Sequence, residues 1–544
     1  MSKFFLCSKK FGDNFINFST RNFLVEESTV VYVTLETDLI DGGGIGGLGI
    51  LTSDVFHEAR RRNSPFYLFS PLYPVKLHQK INNGSVEMER IKINHNSLKK
   101  IDSFGLDTKW YPVEVSVYLH ELSIENTRSY FIEMAPTEGN GWLKELELYN
   151  EKDEGQQVFV RYTFARSIAR FLRRNSILPK LYHLNESDTA FLILAVDEED
   201  MKGRFIGNTH TPQLHGHKRF RKETCECLIE DKSLEKLKVG EEEYGDIKFI
   251  NFGRILAYYS EKLCCVSELH EKVTKECLYP EFKEKITSVT NGISLDWISP
   301  HLQNLFNQYI IGWENNSDLL KNLDVIPDSK LLEAHHLNKR ELSEQFLEWK
   351  RRHEVISNFD EINIDNTIFT CAKRLTEYKR LDHFLKLIDL FPEATFVFAG
   401  RPIREWGDKF LKSLIDTIKN SETSIAYVLN HDREKARYMV AGSDVGVNIP
   451  VSTSEASGTS WMKTIVNGNI LVSTPSGSVP EVITDGKNGL IVHDDLSNLR
   501  EKLEEAVSFA RNGEYAEWIR NSISSSCFVL APRMFDDYIS KLYC

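Results

Sequence analysis

Six short apolar segments recur between residues 366 and 492, and their rhythm is the feature that most constrains the fold. They are Thr367–Cys371, Ala394–Ala399, Ser424–Leu429, Val445–Ile449, Asn469–Ser473 and Gly489–Val492. Most of them are separated by segments with helical periodicity. Short buried strands that alternate with helices are typical of a parallel sheet that is covered by helices on both faces. This half of the chain is therefore predicted to be a doubly wound α/β domain.

The first half carries a second set of strand and helix signals. Thr29–Leu35 is apolar and β-branched, and the glycine-rich loop Asp41–Gly49 separates it from a helical pattern between Ser53 and Arg62. A strand, a glycine-rich loop and a helix in this order present backbone N–H groups to an anion. The loop lacks the Gly-Lys-Ser/Thr sequence of phosphate-loop ATPases and is only a weak dinucleotide signal. A flexible glycine hinge is the alternative interpretation.

Other segments of the first half extend this pattern toward the second domain. Cys264–Ser267 and Lys285–Thr290 are strand-like, a helical segment at 252–262 precedes the first of them, and residues 319–356 are helical and charged, as expected of a connector. We therefore predict two Rossmann-like doubly wound parallel-sheet domains that face a cleft. The predicted division is 1–310, 311–505, and C-terminal helices at 506–544 that pack back on the first domain. Ligands in such folds bind outside the carboxyl ends of the strands.

Composition excludes several classes of function. The 544 residues are enough for two or three domains, and 41% hydrophobic with 27% charged residues is ordinary for a globular chain. A net charge of −12 argues against a nucleic-acid partner. No apolar run approaches a membrane span, and the N-terminal apolar stretch is too short for a secretory signal, so a cytoplasmic protein is expected. Nine cysteines, an odd number, fit reduced thiols.

One cluster of histidines and cysteines contains residue types that bind zinc. His215 and His217 are followed by Cys225 and Cys227. Zinc sites generally separate paired cysteines by two or more residues, so a Cys-x-Cys pair is a poor match. We expect no metal.

The stretch Glu455–Lys463 combines a carboxylate, a small-residue turn and a lysine within about two helical turns. Gly458 lets the backbone approach an anion closely. Lys463 falls on the helix that should follow, between the apolar Met462 and Ile465. A lysine in apolar surroundings is neutral often enough to form a Schiff base with an aldehyde cofactor. The alternative is an ordinary solvated helix lysine.

The loop Lys373–Arg380 places four cations in eight residues, directly beyond the strand that ends at Cys371. Such a loop can neutralise two clustered phosphates, although a solvated basic face is the alternative. The glycine loop, this basic loop and the Glu455 turn all come just after strands. This placement indicates one site that both halves share.

Several segments resemble, in the same order, the α-glucan (glycogen, maltodextrin or starch) phosphorylases, particularly the short bacterial and archaeal branch. The similarity runs from about Val30 to Gly489. The segments that carry it are Gly46–Gly49, Tyr182–Glu186, Asn208–Pro212 with His217, Thr290–Ile293, Lys373–Arg380 and Glu455–Lys463.

The resemblance implies a role for each matching residue. Lys463, Arg374, Lys379 and Glu455 would be catalytic. Lys463 would hold pyridoxal 5′-phosphate as an aldimine, with Lys373, Gly458 and Thr459 at the cofactor's phosphate and His431 beside its ring. Arg374, Lys379 and the amide of Gly47 would bind the substrate phosphate. Gly46, Gly49, Asp188, Asn291, Tyr378, Glu455 and Ser457 would complete the substrate side.

The implied reaction is phosphorolysis of the non-reducing end of an α-glucan or maltooligosaccharide by inorganic phosphate. Configuration would be retained, the product would be α-glucose 1-phosphate, and the phosphate group of the cofactor would be the acid and base. Several cations would offset the repulsion between the two phosphates. No nucleic acid or membrane is expected as a partner, and a homodimer is compatible with this interpretation.

Three positions depart from the family pattern. Asp188 stands where the family has a histidine, His431 where it has a tyrosine, and Trp461 where it has a small or polar residue. The first departure bears on the identity of the sugar, and the other two bear on the cofactor pocket.

Two rival functions remain open at this stage. The first is a retaining glycosyltransferase that uses a nucleotide-sugar, as in glycogen synthase, and the segment Ser473–Leu490 resembles such enzymes. Many of them carry a glutamate for the ribose eight positions after the first glutamate, where this chain has Lys463. A lysine cannot accept hydrogen bonds from ribose hydroxyls, so phosphorylase is favoured. The second rival is an inactive glucan-binding relative.

Overall fold

The carboxyl ends of two large sheets face each other across a cleft in a computed structural model of the chain. The structure describes residues 29–44, 46–137, 141–198 and 204–544. The N-terminal segment on which the expected localisation depends lies outside these ranges. Among the described helices, none is both long enough and apolar enough to span a bilayer.

The first large sheet has nine strands in the order β14-β13-β9-β8-β1-β2-β7-β6-β5. Pairing is parallel from β14 to β7 and antiparallel for β7–β6 and β6–β5. The strands are β1 (Val30–Val33), β2 (Phe66–Pro71), β5 (Leu98–Leu106), β6 (Val113–His120), β7 (Thr127–Pro136), β8 (Leu181–Asn185), β9 (Phe205–Asn208), β13 (Lys262–Cys265) and β14 (Ile286–Ser288).

The second large sheet has seven strands in the order β15-β18-β17-β16-β19-β20-β21. All its pairs are parallel except β15–β18, which is antiparallel. The strands are β15 (Val355–Ser357), β16 (Thr367–Ala372), β17 (Ala394–Ala399), β18 (Ser424–Val428), β19 (Val445–Asn448), β20 (Ile470–Ser473) and β21 (Leu490–Ile491).

Two small sheets complete the strand set. One is the hairpin β3–β4 and the other has the order β10-β12-β11. Their strands are β3 (Val75–Asn82), β4 (Ser85–Lys92), β10 (Arg219–Arg221), β11 (Glu241–Tyr244) and β12 (Ile247–Asn251).

The helices lie mostly between the strands. They are α1 (Gly47–Arg61), α2 (Glu154–Arg174), α3 (Phe191–Glu198), α4 (Lys222–Leu228), α5 (Leu234–Leu237), α6 (Phe252–Tyr259), α7 (Glu268–Val273), α8 (Pro300–Tyr309), α9 (Asp328–Arg351), α10 (Leu381–Leu385), α11 (Arg404–Asn420), α12 (Arg433–Ala441), α13 (Ser460–Val466), α14 (Val479–Val482), α15 (Leu499–Arg511), α16 (Tyr515–Ser526) and α17 (Ala531–Asp537).

The prediction of two doubly wound parallel-sheet domains is confirmed. Each of the six strands predicted between residues 366 and 492 is present, because a strand buried on both faces reads as a short continuous apolar run. The prediction of a helical connector over residues 319–356 was wrong at its C-terminal end. There, Val355 pairs with Val428 in the antiparallel edge strand β15.

The strands between residues 66 and 136 were not predicted. In β4 six of the eight residues are exposed, and in β5 buried and open positions are mixed. Antiparallel strands that face water on one side alternate polar and apolar residues and so lack a continuous apolar run. For the antiparallel strands, the sequence pattern therefore did not distinguish strand from loop. Strand β2 is different, because it is parallel and buried at all six positions, and its apolar run was a signal that the sequence analysis missed.

The last helices divide between the two halves of the chain. Helices α15 and α16 contribute buried residues to the core around the second sheet. The segment from Ala531 to Tyr543 instead packs against β1, β2 and α1 of the first sheet, where Phe535 lies 6.2 Å from the ring of Phe66. The chain thus crosses back to the first half after α16.

We expect Phe535→Ala to lower the free energy of unfolding by about 3 kcal/mol, because it leaves a cavity between α17 and the first sheet. Phe535 is 2% exposed. Urea unfolding measures the change. The matched control is Phe528→Ala, since Phe528 is 50% exposed and its loss should cost less than about 1 kcal/mol. Equal losses in the two variants would contradict the described packing of α17.

Candidate functional site

A cavity of about 870 Å³ lies between the two sheets, and the three predicted loops meet in its wall. A side chain at Gly46 would place its Cβ 3.0 Å from Nε of Arg374, and one at Gly47 would place it 3.8 Å from Oγ1 of Thr459. The glycine loop of the first half therefore lies directly against the basic loop and the Glu455 turn of the second half. Glycine at position 46 leaves room for the Arg374 guanidinium.

Lys463 is on α13 and is 6% exposed, yet it lines the cavity. Its Nζ lies 3.8 Å from the ring centroid of Trp297. Within the described part of the chain, Nζ has no hydrogen-bond acceptor. Burial lowers the pKa of Lys463 to about 8, although the Asp54 carboxylate acts in the opposite direction. About one tenth of this amine is therefore neutral at pH 7, far more than for a lysine with the ordinary pKa.

The basic loop separates into cations with and without a carboxylate partner. Lys379 pairs with Glu455, and this carboxylate raises the pKa of Lys379 above its usual value in spite of burial. Lys373 donates to the carbonyl of Val447 at 2.6 Å, and burial lowers its pKa to about 8. Among the described residues, neither Lys373 nor Arg374 has a carboxylate within ion-pair distance. These two cations make the cavity wall an anion site.

Arg380, the fourth cation of this loop, faces away from the cavity. It donates to the carbonyls of Ile449 at 2.8 Å and Pro450 at 2.7 Å, and it pairs with Asp494. The expectation that all four cations act together on bound phosphates is thus not met by the geometry. Three of them reach the cavity.

The Glu455 turn is held against the first half by Asn291. The Nδ2 of Asn291 donates to the carbonyl of Ser457 at 3.0 Å, and Ser457 exchanges a 2.7 Å hydrogen bond with Ser478. The Oδ1 of Asn291 is buried without a partner in the described structure. A Cβ on Gly458 would lie 3.2 Å from the carboxyl carbon of Glu455, so glycine lets this carboxylate fold over the turn. Asn291, Glu455 and Ser457 all line the cavity.

Asp188 lines the cavity as part of a buried ionic cluster. Its Oδ1 accepts from Nε of Arg161 at 2.5 Å, Arg161 also pairs with Glu151 at 2.7 Å, and Nζ of Lys218 lies 3.9 Å away. Burial opposes ionisation, but Lys218 and Arg161 hold the pKa of Asp188 below its usual value. The aspartate at this family-histidine position is therefore an ionised hydrogen-bond acceptor.

The remaining predicted residues differ in their placement. Thr459 and His431 line the cavity, but Gly49 and Tyr378 are not among the lining residues. Gly49 is within α1, and the ring of Tyr378 lies 5.0 Å from Nζ of Lys379. The Nε2 of His431 is buried with no partner in the described structure, and burial lowers the pKa of His431 to about 3. This imidazole is neutral at physiological pH.

The histidine and cysteine cluster has no metal-site geometry in the part that the structure describes. Cys225 is buried in the core beside α2, while Cys227 is exposed. No group of three or more His, Cys, Asp or Glu residues is placed to hold a metal in the described ranges.

Glu186 received no role from the sequence, yet its carboxylate lines the cavity. It follows β8 with φ of 77° and accepts from the backbone N–H of His210 at 2.7 Å and from Oγ1 of Thr211 at 3.1 Å. Burial raises the pKa of Glu186 to about 7. Its position at a strand end within the Tyr182–Glu186 motif was the available signal.

A second group that sequence reasoning missed lies behind Lys463. Arg433, the first residue of α12, binds Asp54 at 2.6 Å, Asp296 at 3.1 Å and Asp38 at 3.2 Å. The indole N–H of Trp297 donates to Asp54 at 3.1 Å. These residues come from four separate segments, so nothing in their spacing indicates that they meet. The one sequence signal near this cluster is Asp432, a residue type typical of a helix N-cap, which marks the start of α12 at Arg433.

The raised pKa of Glu186 predicts a pH effect on stability. The folded protein binds this proton up to about pH 7, whereas the unfolded chain releases it near pH 4.5. The stabilising contribution of the protonated form is therefore lost as the pH rises through this window. Glu186→Gln keeps an oxygen acceptor for His210 but cannot ionise, so its stability relative to wild type should increase from about pH 5 to about pH 8. Urea unfolding at both pH values measures this, and parallel curves would exclude it.

Comparisons with known proteins agree with this arrangement. The chain matches the carbohydrate phosphorylase family over residues 215–395 and the glycosyl transferases group 1 family over residues 353–523. The maltodextrin phosphorylase of Thermococcus litoralis is 30% identical over 444 residues, which cover 69% of this chain and 52% of that protein. The glycogen phosphorylase of Aquifex aeolicus is 26% identical over 584 residues, which cover 92% of this chain and 83% of that protein.

A third relative, the glycogen phosphorylase of Chlamydia pneumoniae, is 27% identical over 48% of this chain and 35% of that protein. The chain thus spans about half the length of the Thermococcus relative and most of the Aquifex relative. Both matched families have the GT-B fold, in agreement with the two doubly wound sheets. The resemblance inferred from the ordered motifs is confirmed: the chain is similar to the carbohydrate phosphorylases, and the relatives named above are maltodextrin and glycogen phosphorylases.

Proposed function

We propose that this protein transfers glucosyl units by phosphorolysis of the non-reducing end of an α-glucan or maltooligosaccharide, with retention, to give α-glucose 1-phosphate. The observation that carries the proposal is Lys463, a buried amine that lines the same cavity as Lys373 and Arg374, two cations that have no carboxylate within ion-pair distance among the described residues. A lysine of this kind is suited to an aldehyde cofactor, and the cations are suited to phosphate groups.

The residues around Lys463 fit pyridoxal 5′-phosphate. His431 offers a buried nitrogen that is without a partner among the described residues, and Gly458 leaves the backbone open beside Thr459. Lys373, Gly458 and Thr459 would hold the phosphate group of the cofactor, and His431 would lie beside its ring. When bound, the cofactor supplies a phosphate group for acid–base chemistry.

Arg374, Lys379 and the amide of Gly47 would bind the substrate phosphate. Arg374 reaches the glycine loop, so cations from the second half and backbone N–H groups from the first half face the same space. Positive charge in this space would offset the repulsion between two phosphates and stabilise charge that develops during transfer. The chain's contribution to catalysis is therefore chiefly electrostatic.

The sugar would be held by acceptors on both sides of the cleft. Glu455 is oriented by its ion pair with Lys379, and Asn291 joins the first half to the turn at Ser457. Asn291 is 3% exposed and the Glu455 side chain is 13% exposed, and both line the cavity. Asp188 adds an ionised acceptor held by Arg161. Tyr378, which lies behind Lys379, would position that lysine rather than contact the sugar.

A retaining nucleotide-sugar glycosyltransferase is the second candidate, because residues 353–523 match the glycosyl transferases group 1 family. Lys463 argues against it. In many such enzymes a glutamate at this position accepts hydrogen bonds from the ribose hydroxyls, and an ammonium group cannot. An inactive glucan-binding relative is the third candidate. Three cavity-facing cations argue against this alternative, since a protein that binds only neutral glucan has no use for them.

We expect Lys463→Ala to lose covalently bound pyridoxal phosphate and phosphorolytic activity, because Lys463 is the amine to which the proposal assigns the linkage. The measurement is the absorption spectrum before and after borohydride, followed by mapping of the modified peptide. The matched control is Lys409→Ala, which removes an exposed lysine of α11 and should change neither property. Retention of reducible cofactor in the Lys463 variant would refute the proposed anchor.

We expect Arg374→Ala to raise the phosphate concentration needed for half-maximal activity and to lower turnover at least about 100-fold, because a preorganised cation is lost from a buried site. Steady-state rates at varied phosphate measure both effects. Arg380→Ala is the matched control, since Arg380 belongs to the same loop but faces away from the cavity. An unchanged phosphate response in the Arg374 variant would show that the loop serves another ligand.

A further inference from the structure

The cluster of Arg433 with Asp38, Asp54 and Asp296 joins the two halves of the chain. Arg433 begins α12 in the second half, while the three carboxylates come from the loop after β1, from α1 and from the turn that follows Asn291. The guanidinium contacts all three carboxylates at distances of 2.6–3.2 Å. Asp54 is fully buried, so its charge is screened little by water.

Trp297 connects this cluster to Lys463. Its indole N–H donates to both oxygens of Asp54, at 3.2 and 3.1 Å. The guanidinium carbon of Arg433 lies 4.7 Å from its ring centroid, and Nζ of Lys463 lies 3.8 Å from that centroid. A cation is attracted to the face of an indole ring, particularly where water is excluded. The lysine and the cluster therefore share one buried aromatic contact.

The charges around Lys463 have opposite effects on its pKa. Asp54, Asp38 and Asp296 favour the ammonium form, whereas Arg433 disfavours it. Burial raises the pKa of Asp54 to about 7, with Arg433 opposing this effect. The charge of the cluster thus changes near neutral pH.

Other titratable groups also face this region. They are His431, which is neutral, His57, whose pKa is lowered chiefly by burial, and Arg60, Lys435 and Arg437 at the periphery.

We propose that the carboxylate–Arg433 cluster, acting across Trp297, sets the fraction of Lys463 that is a free amine and hence the rate at which this lysine combines with an aldehyde cofactor. The proposal rests on the proposed function for the identity of the cofactor. Trp297 and the members of the cluster are positioning residues, because they act through Lys463.

The chemistry of this step explains why the charge balance matters. The ammonium form first releases a proton to solvent. The free amine then adds its electron pair to the aldehyde carbon, and the adduct loses one water to give a carbon–nitrogen double bond. Only the neutral amine is nucleophilic, so each change in its population changes the rate in proportion.

The test compares charge-removing variants of the full chain without cofactor. Lys463 is titrated by competitive acylation with acetic anhydride between about pH 6 and about pH 11, a range that spans its lowered and ordinary pKa values, and its peptide is quantified by mass spectrometry.

Asp54→Asn keeps an acceptor for the indole of Trp297 but removes a negative charge. Arg433→Met removes the positive charge. Asp296→Asn is a second carboxylate variant, and Glu434→Gln removes an exposed acid of the same helix as the control.

The expected result is opposite shifts of the labelling midpoint. Asp54→Asn and Asp296→Asn should lower it, by about one pH unit for Asp54, and Arg433→Met should raise it. The rate of reaction with pyridoxal 5′-phosphate at pH 7 should then rise about fivefold in Asp54→Asn and fall in Arg433→Met. Glu434→Gln should shift neither.

A merely structural role gives a different outcome. Loosening of the site would admit water and raise the midpoint in every variant of the cluster, including both carboxylate variants. A raised or unchanged midpoint in Asp54→Asn and Asp296→Asn would therefore overturn the inference. Failure of the proposed function is distinguishable, because the acylation profile requires neither bound cofactor nor turnover. If the carboxylate variants lower the midpoint and Arg433→Met raises it, but the protein has no affinity for pyridoxal phosphate, the charge coupling is supported and the proposed phosphorylase function is not.

Discussion

The site depends on charges that are buried where two sheets meet. Arg433 binds three carboxylates of the opposite half, Arg401 binds the buried Glu147, and Asn291 reaches the Glu455 turn. Removing one partner of such a contact leaves an uncompensated buried charge, which typically costs about 3–5 kcal/mol. Of these contacts, the Arg433 cluster both joins the two halves and contributes to the electrostatics around Lys463.

The cleft is further closed by the β3–β4 hairpin, which extends from the first half onto the second. Gln79 donates from its side chain to the hydroxyl of Tyr427 at 2.7 Å and from its backbone to Asn430 at 2.6 Å. Leu77 and His78 of the same hairpin line the cavity. An exposed antiparallel ribbon is therefore part of the cavity wall, although its own sequence has no catalytic motif.

The two matched families share a fold, and under the proposed function a single position of this chain separates their two activities. The glycosyl transferases group 1 match and the carbohydrate phosphorylase match overlap at residues 353–395, and both families have the GT-B fold. Under the proposed function, Lys463 is the position that distinguishes the two chemistries, since an amine and a carboxylate recognise different groups. The departures at Asp188 and His431 leave the fold unchanged but alter the polar character of the cavity. Arg161 compensates for the charge of Asp188.

The sequence by itself determined the second sheet, the loops after its strands, and the family that the chain resembles. Continuous apolar runs and glycine turns are local signals. Within each of the two loops, Lys373–Arg380 and Glu455–Lys463, the important residues are also close together in the sequence. Only the tertiary structure decided which charges are paired. Lys379 and Arg380 are adjacent in sequence, yet one faces Glu455 and the other faces Asp494. The Arg433 cluster joins residues nearly 400 positions apart, from Asp38 to Arg433. Such pairings depend on the packing of whole domains, which no local spacing encodes.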